Sequence, residues 1–223
     1  MNPVTASRRS FVERRVTHAT KRQSPGGQPS RESKLKLIDL SVRLRWGLKG
    51  RDTLAYLKAA GAVLPSDNNK AHRQRDGSLL ARLSPGEALI LSSLHTGRSV
   101  LARSIESLPP EGRSNCYPVP RQDSHCWFIV TGPDTPVMFA KLCAVNLVPD
   151  RFIDGSVAQT NLARLAAIII RHDITGRLAY SVLADSASAE YLWDCLVDAM
   201  SEFSAAVFES VEAAEQQPSG SRQ

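Results

Sequence analysis

The strongest constraint in this sequence is an internal repeat. Four short motifs recur in the same order in the two halves of the chain: Gly50-Arg51-Asp52-Thr53 and Gly132-Pro133-Asp134-Thr135; Leu64-Pro65 and Val148-Pro149; Asp76-Gly77-Ser78-Leu79 and Asp154-Gly155-Ser156-Val157; Ala81-Arg82-Leu83 and Ala163-Arg164-Leu165. The first and last pairs are both offset by 82 residues. Two related strand–helix–strand halves predict an α+β fold whose sheets are covered by helices about a pseudo-twofold axis.

Apolar periodicity and turn residues predict the elements of each half. In chain order they are a strand over residues 42–48, a helix over 53–60, a strand over 88–91, a helix over 99–108, a strand over 127–130, a helix over 134–143, and strands over 167–171 and 178–183. A final helix carries an apolar stripe at i, i+3 and i+4 spacing, formed by Ala189, Leu192, Trp193, Leu196, Met200 and Phe203. Such a stripe predicts core packing.

Composition divides the chain into three parts. Residues 1–33 and 213–223 are polar and poor in apolar groups, which predicts disordered tails. Residues 34–212 are predicted to form one domain, with repeat halves over about 37–108 and 125–205. The longest apolar run is far shorter than the roughly 20 residues that span a bilayer. The N-terminus lacks the apolar core of a secretory signal, so no membrane association and a cytoplasmic location are expected.

The formal net charge of +6 is concentrated at the N-terminus. Residues 1–36 carry nine basic side chains and two acidic ones, a net +7, so the rest of the chain carries −1. The basic residues are Arg8, Arg9, Arg14, Arg15, Lys21, Arg22, Arg31, Lys34 and Lys36. A basic tail binds phosphates without specificity. Because Phe11 is its one aromatic residue, docking to an acidic partner subunit is favoured over specific nucleic-acid binding, with a transit peptide as a further alternative.

No catalytic or metal-binding set is recognisable in the sequence. The four cysteines form no CxxC pair and have no histidine at ligand spacing, which favours buried free thiols over a metal site or disulfides. They are Cys116, Cys126, Cys143 and Cys195. Three histidines lie beside arginine or aspartate in polar stretches and are predicted to be solvated. They are His72, His125 and His172.

The repeated glycines and arginines have simple interpretations. Gly50 and Gly132 stand in neither a GxGxxG motif nor a Walker loop, so they are predicted to form strand-to-helix turns rather than a nucleotide site. The two Asp-Gly steps are predicted to be tight turns. Arg82 and Arg164 match in the repeat and are candidates for bracing a carboxylate across the pseudo-twofold axis or at a subunit contact. Solvated arginines are the alternative.

In their order and spacing, these motifs resemble the folate-binding aminomethyltransferase superfamily, and within it the gamma subunit of heterotetrameric sarcosine oxidase. The resemblance covers about residues 37–205. The stretches that carry it are Trp46-Gly47-Leu48-Lys49-Gly50-Arg51-Asp52-Thr53, residues 76–87, Gly132-Pro133-Asp134-Thr135, Cys143-Ala144-Val145-Asn146-Leu147, residues 152–160 and Ala189-Glu190-Tyr191-Leu192-Trp193. The resemblance implies a fold like the folate-binding domain of the aminomethyltransferases.

The sequence departs from the catalytic members of this superfamily. Aminomethyltransferases carry an acidic pair shortly after the Asp-Gly or Asn-Gly step, and one of its carboxylates orients or activates the folate amine. Ala81 and Arg82 stand at these positions here, and an alanine cannot accept or relay a proton. Related iron–sulfur maturation proteins carry a Lys-Gly-Cys signature of which only Lys141-Leu142-Cys143 remains. Ser186-Ala187-Ser188 replaces an Arg-Ser-aromatic segment that gamma subunits often show.

The resemblance implies a non-catalytic gamma subunit of a sarcosine oxidase-like flavoenzyme. Such a complex demethylates sarcosine or a related N-methyl amino acid oxidatively and passes the one-carbon unit to tetrahydrofolate. It implies alpha, beta and delta subunits that hold FAD, FMN, NAD and tetrahydrofolate, with no cofactor in this chain. A stand-alone folate-dependent one-carbon transferase, which would need a carboxylate near Ala81, is one alternative. A binder of nucleic acid or anionic surfaces that depends on residues 1–33 is the other.

Overall fold

The computed structural model describes residues 10–13, 15, 35–94, 100–203 and 205–208. Its strands are β1 (Leu35–Asp39), β2 (Arg45–Lys49), β3 (Lys70–Arg73), β4 (Leu79–Ser84), β5 (Glu87–Leu91), β6 (Tyr117–Pro120), β7 (His125–Thr131), β8 (Val157–Leu162), β9 (Leu165–Arg171), β10 (Ala179–Asp185) and β11 (Ala205–Phe208). Its helices are α1 (Thr53–Ala59), α2 (Val100–Glu106), α3 (Thr135–Phe139) and α4 (Ala189–Met200), the last preceded by a 3₁₀ turn at Ser186–Ser188. Within these described ranges, no helix is both long and apolar enough to cross a membrane.

The strands form two sheets, and each half of the chain contributes one strand to the sheet of the other half. Sheet A has the order β11-β1-β7-β10-β9-β8, and sheet B has the order β3-β4-β5-β2-β6. All pairs are antiparallel except β1 with β11. The first strand of each half, β1 or β6, joins the sheet formed by the other half. The duplication predicted from the motifs is therefore present in the topology.

The glycine turns after β2 and β7 repeat in detail. Gly50 and Gly132 have φ values of 134° and 129°. Their carbonyls accept hydrogen bonds from the amides of Thr53 and Thr135, at 3.1 and 3.2 Å. A Cβ at Gly50 would lie 1.9 Å from the carbonyl oxygen of Asn115, so no other residue fits there. The predicted strand-to-helix turns are confirmed.

The alignment of the two Asp-Gly-Ser motifs is wrong. Gly155 precedes β8, and its amide donates to the carbonyl of Arg171 on β9 at 2.9 Å. Before β3, Asn69 makes the equivalent bond to the carbonyl of Arg82 on β4 at 2.7 Å. Both residues have positive φ, 79° and 58°. Asp76-Gly77 forms the β3–β4 turn instead, so two unrelated turns share a common turn dipeptide.

The same registers correct the proposed pair of arginines. In the first half, Lys70 of β3 pairs with Arg82 of β4. In the second half, the equivalent position before β8 is Ser156, whose carbonyl accepts a hydrogen bond from the amide of Arg171 on β9. Arg171, and not Arg164, is therefore the counterpart of Arg82. Arg164 lies in the β8–β9 hairpin turn, where its φ is 68° and its side chain is exposed.

Three apolar layers hold the elements together. One lies between the sheets and contains Leu79, Leu89, Trp127 and Leu183 among its members. A second packs α3 and α4 on the outer face of sheet A, and a third packs α1 and α2 on the outer face of sheet B. The α+β sandwich is thus helix, sheet, sheet, helix, with the halves joined through the middle layer.

Several element bounds differ from those predicted. The strand expected over residues 42–48 is β2, which starts at Arg45 because residues 41–44 cross from one sheet to the other. The helix expected over 134–143 ends at Phe139, where the amides of Lys141 and Leu142 bond to carbonyls three residues back. The α4 stripe is confirmed, although Phe203 lies beyond the helix and is half-buried. Six strands escaped prediction: β1, β3, β4, β6, β8 and β11.

Part of the predicted N-terminal tail lies against the domain. Val12 is fully buried in the outer layer of sheet A, and Phe11 packs beside it. The Ser10 hydroxyl donates to the carboxylate of Asp39. Arg15 lies 3.4 Å from a carboxylate oxygen of Asp194 on α4. The other residues of the two predicted tails lie outside the described ones, except for Glu13.

Candidate functional site

Ala81 stands where the resemblance implies an acidic side chain, and it lies in an apolar layer. Ala81 is fully buried on β4, between the two sheets, and its counterpart on β9 is Ile170. Arg82 points its guanidinium to the loop before β3, where Nη1 donates to the carbonyl of Ser66 at 2.8 Å. Asp39 is the one buried acidic residue in the described part of the chain. The methyl side chain of Ala81 cannot itself accept or donate a proton.

The two equivalent arginines hold equivalent loops. Arg171 donates through Nη1 to the carbonyls of Pro149 and Phe152, at 3.0 and 2.9 Å. Its other nitrogens bind the carboxylate of Asp173 at 3.0 and 2.8 Å, which raises the pKa of Arg171. Arg82 likewise reaches the loop of Pro65, the partner of Pro149 in the repeat. These arginines brace loops, and a carboxylate takes part only at Arg171.

The prediction of a solvated His172 is wrong, because this residue is buried between the sheets. Its Nε2 lies 2.7 Å from the hydroxyl of Ser181, which also accepts a 2.8 Å hydrogen bond from the indole of Trp127. Burial lowers the pKa of His172 to about 3, so the ring is uncharged at neutral pH. No carboxylate joins this serine and histidine, and both are shielded from solvent. They form a core network and not a nucleophile–base pair.

A buried arginine, Arg45, joins the two crossovers between the sheets and was not predicted as a site residue from the sequence. The guanidinium of Arg45 donates to five backbone carbonyls, those of Ser41, Arg43, Arg121, Gln122 and His125. Three of these distances are 3.1, 2.8 and 2.9 Å, for Ser41, Arg43 and Gln122. Arg45 is 1% exposed.

Asp39 supplies the nearby buried carboxylate. Burial raises its pKa, and hydrogen bonds from Ser10 and Ser41 and the positive charge of Arg45 oppose this shift. The amide of Ser41 donates to Asp39 at 2.9 Å. The crossover joint is therefore a polar centre whose groups bind one another, which leaves it a structural role.

A groove of about 490 Å³ opens on the inner face of sheet A. It is lined by His125, Gln159, Thr160, Asn161, Ala166, Ala167, Ile168 and Leu183. Its volume is typical of sites that bind small molecules or side chains of a partner. None of the lining side chains is a carboxylate, lysine or arginine.

His125 at the groove is held neutral by its neighbours. Nε2 lies 3.1 Å from Nη1 of Arg121, whose Nη2 donates to Glu87 at 2.6 Å. Nδ1 lies 2.8 Å from the Ser124 hydroxyl, which donates to the carbonyl of Pro120 and therefore accepts from the ring. Burial and the charges of Arg121 and Arg45 lower the pKa of His125 to about 4. Both ring nitrogens are occupied, which makes His125 a poor general base.

The remaining candidate ligands are dispersed. His72 is exposed on β3, whereas His172 is buried between the sheets. In the described ranges, no three His, Cys, Asp or Glu residues are grouped as a metal site would require. Cys116, Cys126 and Cys143 are buried free thiols as predicted, whereas Cys195 is half-buried. Burial raises the pKa of Cys126 to about 11, so its thiol stays protonated.

Two solved structures share the fold. A chain of heterotetrameric sarcosine oxidase from Corynebacterium sp. U-96, in complex with pyrrole 2-carboxylate, superposes with a TM-score of 0.70 and 22% identity over 89% of this chain and 97% of that chain. Glycine cleavage system aminomethyltransferase T from Bartonella henselae superposes with a TM-score of 0.58 and 14% identity over 82% of this chain. This chain spans only 49% of that protein. By sequence, neither a family model nor a curated protein matches.

These similarities establish the fold. The predicted α+β architecture, with duplicated halves like those of the aminomethyltransferases, is confirmed. The expected resemblance to a subunit of heterotetrameric sarcosine oxidase is supported at the level of the fold, since the match extends over 97% of one chain of such an enzyme.

Proposed function

We propose that this chain is a non-catalytic gamma-type subunit of a sarcosine oxidase-like flavoenzyme. The observation that carries the proposal is the end-to-end match with one chain of a heterotetrameric sarcosine oxidase, covering 97% of that chain. A shared domain inside a larger protein would match only in part, as aminomethyltransferase T does at 49%. The near-complete match favours a subunit of similar size and role.

The geometry supports a non-catalytic role for the described residues. Ala81 is fully buried and belongs to the apolar cluster between the sheets, so its side chain cannot serve the proton-handling step of the aminomethyltransferases. The buried Ser181–His172 pair is closed to solvent, and both ring nitrogens of His125 are occupied. His172 is thus buried in the core, and His125 is bound by its neighbours.

The proposal assigns the chemistry to the partner subunits. Alpha, beta and delta subunits would hold FAD, FMN, NAD and tetrahydrofolate, and the cytoplasmic complex would demethylate sarcosine or a related N-methyl amino acid oxidatively. The one-carbon unit would pass to tetrahydrofolate. This chain would contribute packing surface, and its basic N-terminal segment would dock to an acidic partner subunit.

Co-expression with the candidate flavin- and dinucleotide-bearing subunits tests the proposal. One soluble complex with a flavin absorbance spectrum and sarcosine-dependent activity is expected, whereas the isolated chain should be colourless after desalting. A chain that purifies alone with stoichiometric flavin, or that never joins the other subunits, would contradict the proposal.

A stand-alone one-carbon transferase is the second candidate, favoured by the fold shared with aminomethyltransferase T. The isolated chain, incubated with tetrahydrofolate and an aminomethyl donor, should then form methylenetetrahydrofolate unaided. We expect no transfer. Ala81→Asp cannot be used to test whether a carboxylate at this position restores transferase activity, because it would bury an unpaired carboxylate in the apolar layer.

A further inference from the structure

The chain covers the inner face of sheet B with its own residues. Residues 92–94 follow β5 and return over the start of β4. The Ser93 hydroxyl lies 2.7 Å from the point where a Cβ of Gly77 would stand, so the absence of a side chain there admits this segment. Leu94 is 5% exposed and joins the apolar layer that contains Leu79 and Leu91.

The equivalent face of sheet A lacks such a cover in the described part of the chain. Leu79 pairs with Leu91, and at the matching positions Ile168 pairs with Leu183. Ile168 is only half-buried, and Ala166, the counterpart of Gly77, is exposed. These residues form the floor of the 490 Å³ groove.

The cause of this difference is the connection after β10. Asp185 ends the strand, and its carboxylate accepts a hydrogen bond from the amide of Ala187 at 2.8 Å. This contact turns the chain into the Ser186–Ser188 turn and then into α4 on the outer face. Ser186 stands where Leu94 stands in the first half, and its hydroxyl donates to the carbonyl of Asp123 at 2.6 Å. The segment that could have filled the groove is therefore committed elsewhere.

The groove has the chemistry of a site for an uncharged segment. Its floor is aliphatic, from Ala166, Ile168 and the fully buried Leu183. On the β8 rim, the amide nitrogen of the Gln159 side chain already donates to Asn69 and to the carbonyl of Leu83. The rim therefore offers the side-chain carbonyl oxygen of Gln159 and the side chain of Asn161. A charge buried against this floor without a partner would cost several kcal/mol. Backbone amides and carbonyls of an extended chain, in contrast, fit a rim of neutral amide side chains.

We propose that this groove binds an uncharged segment of a partner subunit that carries a branched aliphatic side chain. That side chain would take the place on sheet A that Leu94 takes on sheet B. The inference rests on the proposed function, because it requires the chain to be part of a complex. The occupant is identified by the internal symmetry of the fold: the same position is filled in one half and open in the other.

The test places an arginine in the groove and another outside it. Ala166→Arg should lower the affinity of the full chain for the co-expressed flavin-bearing subunits at least tenfold, because it buries a charge in the contact. Ala55→Arg, at an exposed alanine of α1 on the outer face of sheet B, should leave the affinity unchanged. Thermal unfolding of the two isolated variants should match wild type.

A photo-crosslinking residue at position 166 provides a second readout that does not depend on the arginine variant folding. Crosslinking to a flavin- or dinucleotide-bearing subunit from position 166, and none from position 55, is expected in the purified complex. A complex that assembles normally with Ala166→Arg and gives no crosslink from position 166 overturns the docking site but leaves the proposed function standing. A small molecule in the groove, with assembly unaffected, overturns it equally. If wild type forms no complex, the proposed function fails first and the docking site with it.

Discussion

The two halves of the molecule share their strand order and glycine turns, yet differ in the side chains at matched positions. Arg45 on β2 and Trp127 on β7 are equivalent, since their partners Leu91 and Leu183 are equivalent. Arg45 ties the two crossovers through backbone carbonyls, whereas Trp127 donates into the middle layer, to Ser181. Duplication has thus repeated the backbone, whereas the matched side chains differ: Arg45 joins the crossovers between the sheets, and Trp127 bonds a neighbouring strand of its own sheet.

The halves also differ in what covers their inner faces. Leu94 closes sheet B from within the chain, whereas the equivalent face of sheet A is the open groove. A symmetrical fold thereby acquires an asymmetrical surface, and one connection, after β10, decides the difference. The contrast can be tested at matched positions.

The largest effect is expected at the crossover joint. Arg45→Ala removes the donor to five carbonyls and the positive charge near Asp39, which should lower the free energy of unfolding by about 3–5 kcal/mol. Urea denaturation measures this change. Arg51→Ala is the control, because that side chain is 79% exposed and its loss should cost less than about 0.5 kcal/mol. Similar losses for both variants would mean that Arg45 does not hold the joint.

At the equivalent position of the second half, a smaller effect is expected. Trp127→Phe keeps a ring but removes the indole donor to Ser181, and an unsatisfied buried group costs about 1–3 kcal/mol. Denaturant midpoints of this variant and of Trp46→Phe, at a half-buried tryptophan on the outer face of sheet B, provide the comparison. An equal or larger loss at Trp46 would contradict the importance of the Trp127 hydrogen bond.

Two glycine variants, one in the loop before β3 and one in the loop before β8, distinguish the cost of backbone strain from the cost of a steric clash. Gly155→Ala should cost about 1–2 kcal/mol from positive φ alone, and more because a Cβ would lie 2.7 Å from the carbonyl of Ala71. Gly61→Ala has a similar φ of 85° with nothing within 4 Å, so it reports the strain alone. Thermal unfolding of both variants checks the difference. A Gly155 variant as stable as the Gly61 variant would show that the loop moves away from Ala71.

The last effect, small only when measured within a single pH unit, is a dependence of the free energy of unfolding on pH that arises in the middle layer. The pKa of His172 is about 3 in the folded protein and near 6.5 when unfolded, so its contribution is complete above pH 6.5 and is lost as pH falls towards 3. One such group changes the free energy of unfolding by at most about 1.4 kcal/mol per pH unit. His172→Gln should flatten this slope. A smaller pH dependence should remain, which arises from His125, whose pKa is about 4. His72→Gln, at an exposed histidine, should leave the slope unchanged; parallel profiles for all three proteins would refute the assignment.

Elements with strong local signals were predictable. The α4 stripe at Leu192, Trp193 and Leu196 is buried as its spacing requires, and Gly50 and Gly132 form the predicted turns. Strand β6 was missed because Pro118 and Pro120 suppress the strand pattern, although prolines are tolerated on this sheet edge. The short strand β3 is partly exposed and lacks an apolar alternation.

The sequence by itself determined the duplication, the α+β class and the presence at position 81 of an alanine, which cannot exchange protons, because these depend on residue types and their order. Tertiary structure alone decided that Arg171 is the counterpart of Arg82, that His172 is buried and that Arg45 closes the crossover joint. The physical reason is that strand register and burial are set by partners distant in the chain. A polar residue in a polar stretch looks solvated until the other half of the molecule folds over it.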